Sequence, residues 1–158
     1  MAKRLVVALT AAAALLGTAA CDSRPSPTIH DAAFIREATA LCARELPALR
    51  AKRKDTDLFG GTPKTDRNDI ATQVEHVADQ LDRVSGELGA LAVKPDDQGE
   101  VAAWLEEWAN YTGIGRQYAA AVRTEKASVY TSIAAQGNGP VGRIARFARA
   151  NRIDDCVL

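Results

Sequence analysis

The sequence predicts an all-α protein: an up-down four-helix bundle with a broken last helix, closed by one disulfide. Three observations carry this expectation. Beyond residue 20 the chain is rich in Ala, uses Arg more than Lys and has few aromatic or β-branched runs, which is helical usage. Apolar residues recur three and four positions apart, the period of helices that bury one stripe. Cysteines at 21, 42 and 156 leave a pair for one bridge once the first is otherwise used.

The first helix is expected to begin near Ile29 to Asp31, with Asp31 as its N-cap. Phe34, Ile35, Ala38, Leu41, Cys42, Leu46 and Leu49 share one stripe, so Cys42 faces a core. Pro47 lacks a backbone donor and is expected to kink the helix or end its regular part. Arg50, Lys52, Arg53 and Lys54 crowd the last turn, where cations suit the helix dipole; a lipid-facing patch is the sharper alternative. Gly60, Gly61 and Pro63 mark the following stretch as a loop. Leu58 and Phe59 within it either tuck onto the domain or stay exposed for a partner.

The second helix has the clearest pattern. Ile70, Val74, Val77, Leu81, Val84, Leu88 and Leu91 alternate spacings of four and three, a heptad seam. Thr65 or Asp66 caps its start, and Pro95 prevents much continuation. The third helix follows Lys94-Pro95-Asp96-Asp97, whose acids suit a helix N-terminus. Val101, Trp104, Leu105, Trp108, Tyr111, Ile114 (or Gly115), Tyr118 and Val122 carry its period. The last region reads as two pieces, 128–136 and 141–150, interrupted by Gly137-Asn138-Gly139-Pro140. Ile144, Phe147 and Ala148 face inward, and Asn151 takes the left-handed stop position so that Ile153 folds back. Arg143, Arg146, Arg149 and Arg152 form a spaced basic stripe; solvation explains it most simply, and anionic lipid headgroups are the alternative.

The beginning of the chain is of a different kind. Lys3 and Arg4 precede an uncharged apolar run over 5–16 and four small residues, Gly17 to Ala20. That is the layout of an export signal, and the run is shorter than the roughly 18 apolar residues of a membrane span. Thr18-Ala19-Ala20-Cys21 resembles the bacterial lipobox, which makes Cys21 the lipidated first residue of the mature chain. Thr18 departs from the aliphatic residue usual there. Cleavage by the ordinary signal peptidase is the alternative, and it would release a secreted protein with a free Cys21 thiol. The expected organisation is a signal peptide over 1–20, a polar, proline-bearing tether over 21–29, and a bundle domain over 30–158. One domain of this length buries a core of its own.

With Cys21 carrying lipid, Cys42 and Cys156 are left to pair in an oxidising compartment. Two separate buried thiols are the alternative. The bridge would close a loop spanning 114 positions, stabilising by roughly 4–5 kcal/mol in the chain-entropy view.

Taking Lys3 and Arg4 from 20 basic residues leaves 18 against 20 acidic ones, a formal charge of −2 beyond the leader. That balance argues against a nucleic-acid partner. Only His30 and His76 are present, with no serine elbow, metal cluster or phosphate loop, so no catalytic residue, metal or cofactor is expected. Glu106 and Glu107 are adjacent on a helix and point apart. Asn110-Tyr111-Thr112 matches the glycosylation acceptor pattern, but its place within a helix makes the match incidental. Trp104, Trp108 and Tyr111 are either bundle core or an aromatic binding face between helices.

Residues 34–42, Phe-Ile-Arg-Glu-Ala-Thr-Ala-Leu-Cys, and 150–156, Ala-Asn-Arg-Ile-Asp-Asp-Cys, resemble a pattern of small lipoproteins from high-GC Gram-positive bacteria. Those proteins carry an early Ala-x-x-Leu/Ile-Cys-like motif and a Gly-Leu-x-x-Cys-like ending; here Asn151 to Ile153 stand in for the tyrosine-glycine-leucine stretch often seen before the final cysteine. The resemblance implies a helical, disulfide-closed lipoprotein domain and no catalytic residue. The resulting expectation is a non-catalytic binding or interaction module on the outer face of the cell membrane. A fatty acid such as palmitate on Cys21 anchors it, and its partner is an envelope protein or a small ligand. A purely structural envelope protein, or a secreted helical protein or enzyme, is the alternative.

Overall fold

A computed structural model of the chain describes residues 27–55 and 66–158, apart from the side chains of 52–55. The expectations for the leader, Cys21, Leu58-Phe59, Thr65 and the Lys52 to Lys54 side chains lie outside the described residues. Those residues form five α-helices: α1 (Ala32–Asp55), α2 (Arg67–Gly89), α3 (Gln98–Thr124), α4 (Ala127–Gln136) and α5 (Asn138–Ala150). Short 3₁₀ turns, Pro95–Asp97 and Asp154–Cys156, complete the set, and no strand occurs among the described residues.

Helices α2 and α3 pack along their length. Ala71, Val74, Ala78, Leu81, Val84 and Leu88 are the buried face of α2. The heptad seam is therefore shifted at its outer end, where Ala71 and Ala78 replace half-buried Ile70 and Val77. Small side chains there let α3 approach closely: a Cβ on Gly115 would sit 3.9 Å from Ala78 Cβ and Val74 Cγ1. Ion pairs flank the contact, with Arg116 on Asp79 and Asp82 and Arg123 on Glu75. Asp66 caps α2, its side chain accepting the Asn68 N–H at 2.7 Å.

Helix α1 does not end at Pro47 but runs on to Asp55. The ring faces solvent while Leu46 and Leu49 remain buried on either side, so the lost hydrogen bond falls on the wet face. Arg83 links α2 to α1 through Glu45 at 2.9 Å while also pairing with Glu87 of its own helix at 2.8 Å, and Arg44 of α1 joins the same cluster by reaching Glu87 at 3.5 Å.

The break before α5 is narrower than the sequence implies. Gly137 alone separates α4 from α5, and its backbone stays helical at φ −63°, ψ −21°. Asn138 and Gly139 enter the first turn of α5, where Pro140 costs nothing because those N–H groups have no intrahelical partner. A Cβ at Gly137 would lie 3.3 Å from both Tyr111 Cε2 and the Ala134 carbonyl oxygen, which explains a glycine at this close approach.

At its other end α5 stops in a Schellman turn. The left-handed residue is Arg152 (φ 57°), one position beyond the expected Asn151. The Ile153 N–H reaches the Ala148 carbonyl at 2.8 Å and the Arg152 N–H reaches Arg149 at 3.2 Å, the paired bonds of that motif. Ile153 is fully buried, and the chain returns along α1 to a disulfide between Cys42 and Cys156, with Cα atoms 5.1 Å apart.

The buried apolar residues fall into two clusters. The larger joins α1, the later half of α2, the first half of α3, α5 and the tail, with Trp108, Phe34, Leu46 and the disulfide at its centre. The smaller joins Ala71 and Val74 to Tyr118, Ala119 and Val122, with Tyr130 and Ile133 of α4 leaning on it.

Candidate functional site

Two places bring chemistry-bearing side chains together, and the polar one lies where α1 begins. Asp31 is a buried N-cap: its Oδ1 accepts the N–H groups of Ala33 (3.1 Å) and Phe34 (3.2 Å), while Oδ2 accepts the Lys94 N–H (2.9 Å). The amides of Lys94, then Phe34, hold its carboxyl below the ordinary carboxylate range because they bind the charged form. Asp97, also buried, accepts the His30 N–H at 3.0 Å, and the exposed His30 imidazole lies 3.6 Å from its other oxygen. Asn151 completes the cluster. Its Oδ1 accepts the Ile29 N–H at 2.7 Å, and its Nδ2 donates to the Pro27 carbonyl (3.1 Å) and the Phe147 carbonyl (2.9 Å).

Three segments remote in sequence, 27–34, 94–97 and 147–151, are thus pinned by three polar side chains. The stretch expected to be tether over 21–29 is bonded to the domain from Pro27 onward, and Ile29 is buried. Higher along α1, the Arg50 guanidinium grips the tail, donating to the Val157 carbonyl at 2.8 Å and to the Asp155 carbonyl. Arg50 was legible only as one of a cluster of cations. Asn151 was legible only as a turn residue, since nothing in the local sequence announces bonds across 122 and 124 positions.

The aromatic face expected at Trp104, Trp108 and Tyr111 is divided by the fold. Trp104 and Trp108 are buried in the larger core, edge to face with centroids 5.8 Å apart, and Trp104 stacks on Phe147 at 4.9 Å. Both indole N–H groups are buried without an acceptor among the described residues, so these rings act as packing rather than as a contact surface. Tyr111 is half-buried and borders a cavity.

That cavity is the second place. It is a partly open hollow of about 50 Å³ between α2, α3 and the α4–α5 junction, bounded by Val74, Ala78, Leu81, Tyr111, Gly115, Tyr118, Ala134 and Gly137. It lies between the two apolar clusters, where small side chains of α2, α3 and α4 fall opposite one another. The tyrosines are its polar elements together with Thr112, and burial raises the pKa of the Tyr118 hydroxyl. Its roof is α4, which buries no residue of its own, has no side-chain cap at its N-terminus and carries no charged side chain. An open, polar hollow of about 390 Å³ follows the next face of α3, with Asn110, Gln117, Gln136 and Arg143 around it and Ile114 shared by both.

His76 is exposed. Glu107 is held by Arg143 at 2.7 Å, and Glu106 faces solvent. Among the described residues no three His, Cys, Asp or Glu side chains gather in a metal-binding group. No helix among them is long and apolar enough to cross a membrane. The chain matches no protein-family model, no curated protein and no solved structure.

Proposed function

We propose that this protein is an exported, lipid-anchored binding module of the cell envelope. In this reading it is non-catalytic and takes a small apolar ligand in the cavity beneath α4. The domain is an up-down bundle in which α4 and α5 together form the fourth member. Cys21 carries the lipid, and an envelope protein is the alternative partner.

The observation that carries the binding role is the cavity itself. Apolar, largely preformed hollows between helices are common ligand sites in bundles, and a lining that is mostly apolar favours an apolar guest over water. At about 50 Å³ it suits a branched aliphatic group, and anything the size of benzene requires α4 to give way. The buried Cys42–Cys156 bridge supports an oxidising location. It also leaves Cys21 as the odd cysteine, which supports the lipid anchor and the resemblance to helical lipoproteins.

Xenon and then benzene, added to isotope-labelled protein, test the ligand site. The expected result is saturable shift changes at Ala78, Tyr111, Gly115 and Ala134, abolished by Ala78→Leu in a folded protein. Changes spread evenly over the surface, or none at all, would remove the reading. Incorporation of labelled fatty acid, lost in Cys21→Ala, tests the anchor.

A further inference from the structure

The distribution of arginines carries a second reading, which rests on the lipid anchor proposed above. Most arginines on the described surface are matched: Arg44 and Arg83 meet Glu45 and Glu87, Arg116 meets Asp79 and Asp82, and Arg123 meets Glu75. Arg146, Arg149 and Arg152 are exposed and form no ion pair among the described residues. They occupy the last turns of α5 and the left-handed residue after it.

Asn151 sits inside this run, and its side chain holds Pro27 and Ile29. The chain toward Cys21 therefore leaves the domain beside these three arginines. Only six positions separate Cys21 from Pro27, a reach of about 20 Å when fully extended. A lipid on Cys21 keeps this end of the bundle close to the headgroup layer. The buried acids of the same end, Asp31 and Asp97, are engaged by backbone amides. The exposed acids near this end are Asp96, in the turn before α3, and Asp154 and Asp155, in the turn after Arg152, and among the described residues none of them pairs with the three arginines.

We propose that the end of the bundle bearing Arg146, Arg149 and Arg152 rests on anionic phospholipid headgroups. The lipid supplies attachment and the arginines set orientation, since guanidinium groups pair well with phosphate. The cavity is then directed away from the bilayer: Tyr118 lies about 30 Å along α3 from Asp97 at the usual helical rise.

The test uses the exported chain carrying Cys21→Ala, so that no lipid contributes, sedimented with phosphatidylglycerol vesicles and with phosphatidylcholine vesicles. The expected result is association with phosphatidylglycerol alone, weakening as salt is added. Replacing the three arginines together (Arg146→Gln, Arg149→Gln, Arg152→Gln) should weaken it at least tenfold, on the order of magnitude given for juxtamembrane cations. Arg116→Gln with Arg123→Gln, at the other end, should have a much smaller effect. Equal association with both vesicles overturns the proposal, as does undiminished association in the triple variant. Should the triple variant fail to fold by circular dichroism, the three single variants decide, each expected to lose a few-fold. Fatty-acid labelling of the unaltered chain is read separately. Its absence would remove the anchor, while the vesicle result still judges the arginine face.

Discussion

The end of the molecule around Asn151 and the end around Tyr118 are built on different principles. At the first, three segments meet, three buried polar side chains bind backbone groups from distant parts of the chain, and a disulfide lies above them. At the second, the α2–α3 pair is well packed and flanked by ion pairs, but its cover, α4, rests on half-buried Tyr130, Ile133 and Ala134. Ten residues without a buried side chain are too few to hold a helix unaided in water. The polar clamps and the disulfide gather where the N-terminal segment joins at Pro27, and the apolar cavity lies under the less buried α4. Binding sites are drawn from such regions because admitting a ligand needs local opening.

Four changes separate the two ends, and the largest effect belongs to the disulfide. Replacing Cys42 and Cys156 with Ala should lower Tm by roughly 10–20 °C, from the 2–5 kcal/mol typical of a long native bridge. Calorimetry should also show that the drop exceeds that of any change in α4. Asn151→Ala comes next, at about 2–3 kcal/mol by urea unfolding, because it strands the buried Ile29 N–H and frees the tether root. A cost equal to that of an exposed substitution would show that the clamp is not holding.

Acid acts on the same end. Asp31 titrates below its ordinary value, so the unfolded chain takes up its proton first. The stability it contributes is present above about pH 4 and drains away as pH falls through the folded-state value. Asp31→Asn should flatten that part of the stability–pH curve while leaving neutral-pH behaviour near that of a modest cap loss. Glu45, lowered first by Arg44 and then Arg83, and Glu75, lowered by Arg123, share the same sign, with less effect because solvent screens exposed pairs. The smallest change is a gain. Gly115→Ala places a methyl in ordinary contact with Ala78 and Val74 and should stabilise by about 0.5–1 kcal/mol through helix propensity. It should also weaken xenon binding; a loss of stability instead would mean that the cavity wall does not tolerate filling.

Periodicity made α1, α2 and α3 legible, because each buries one stripe along many turns. The Cys42–Cys156 pair was legible from cysteine arithmetic. What escaped the sequence depends on contacts between segments. Of the two outcomes expected at Pro47, a kink or an end, the end does not occur: Leu46 and Leu49 hold the helix through it while its ring faces solvent. The left-handed stop fell on Arg152 rather than Asn151 because Asn151 is occupied across the chain by Pro27 and Ile29. Trp104 and Trp108 had two readings, bundle core and binding face, and the core reading holds because α5 brings Phe147 onto Trp104 and both indoles are buried. The cavity had no local signature. It arises where Ala78, Gly115, Ala134 and Gly137 fall opposite one another, which is a property of the packing and not of any one stretch.

Native-state hydrogen exchange, read amide by amide, tests most directly the claim of a firm base carrying a yielding, α4-roofed cavity. Amides of α4 should exchange through a local opening well below the global free energy. Those of α1 around Leu41 and Leu46, and of Ile153, should exchange only with global unfolding. Protection in α4 equal to that at Leu46 would contradict it.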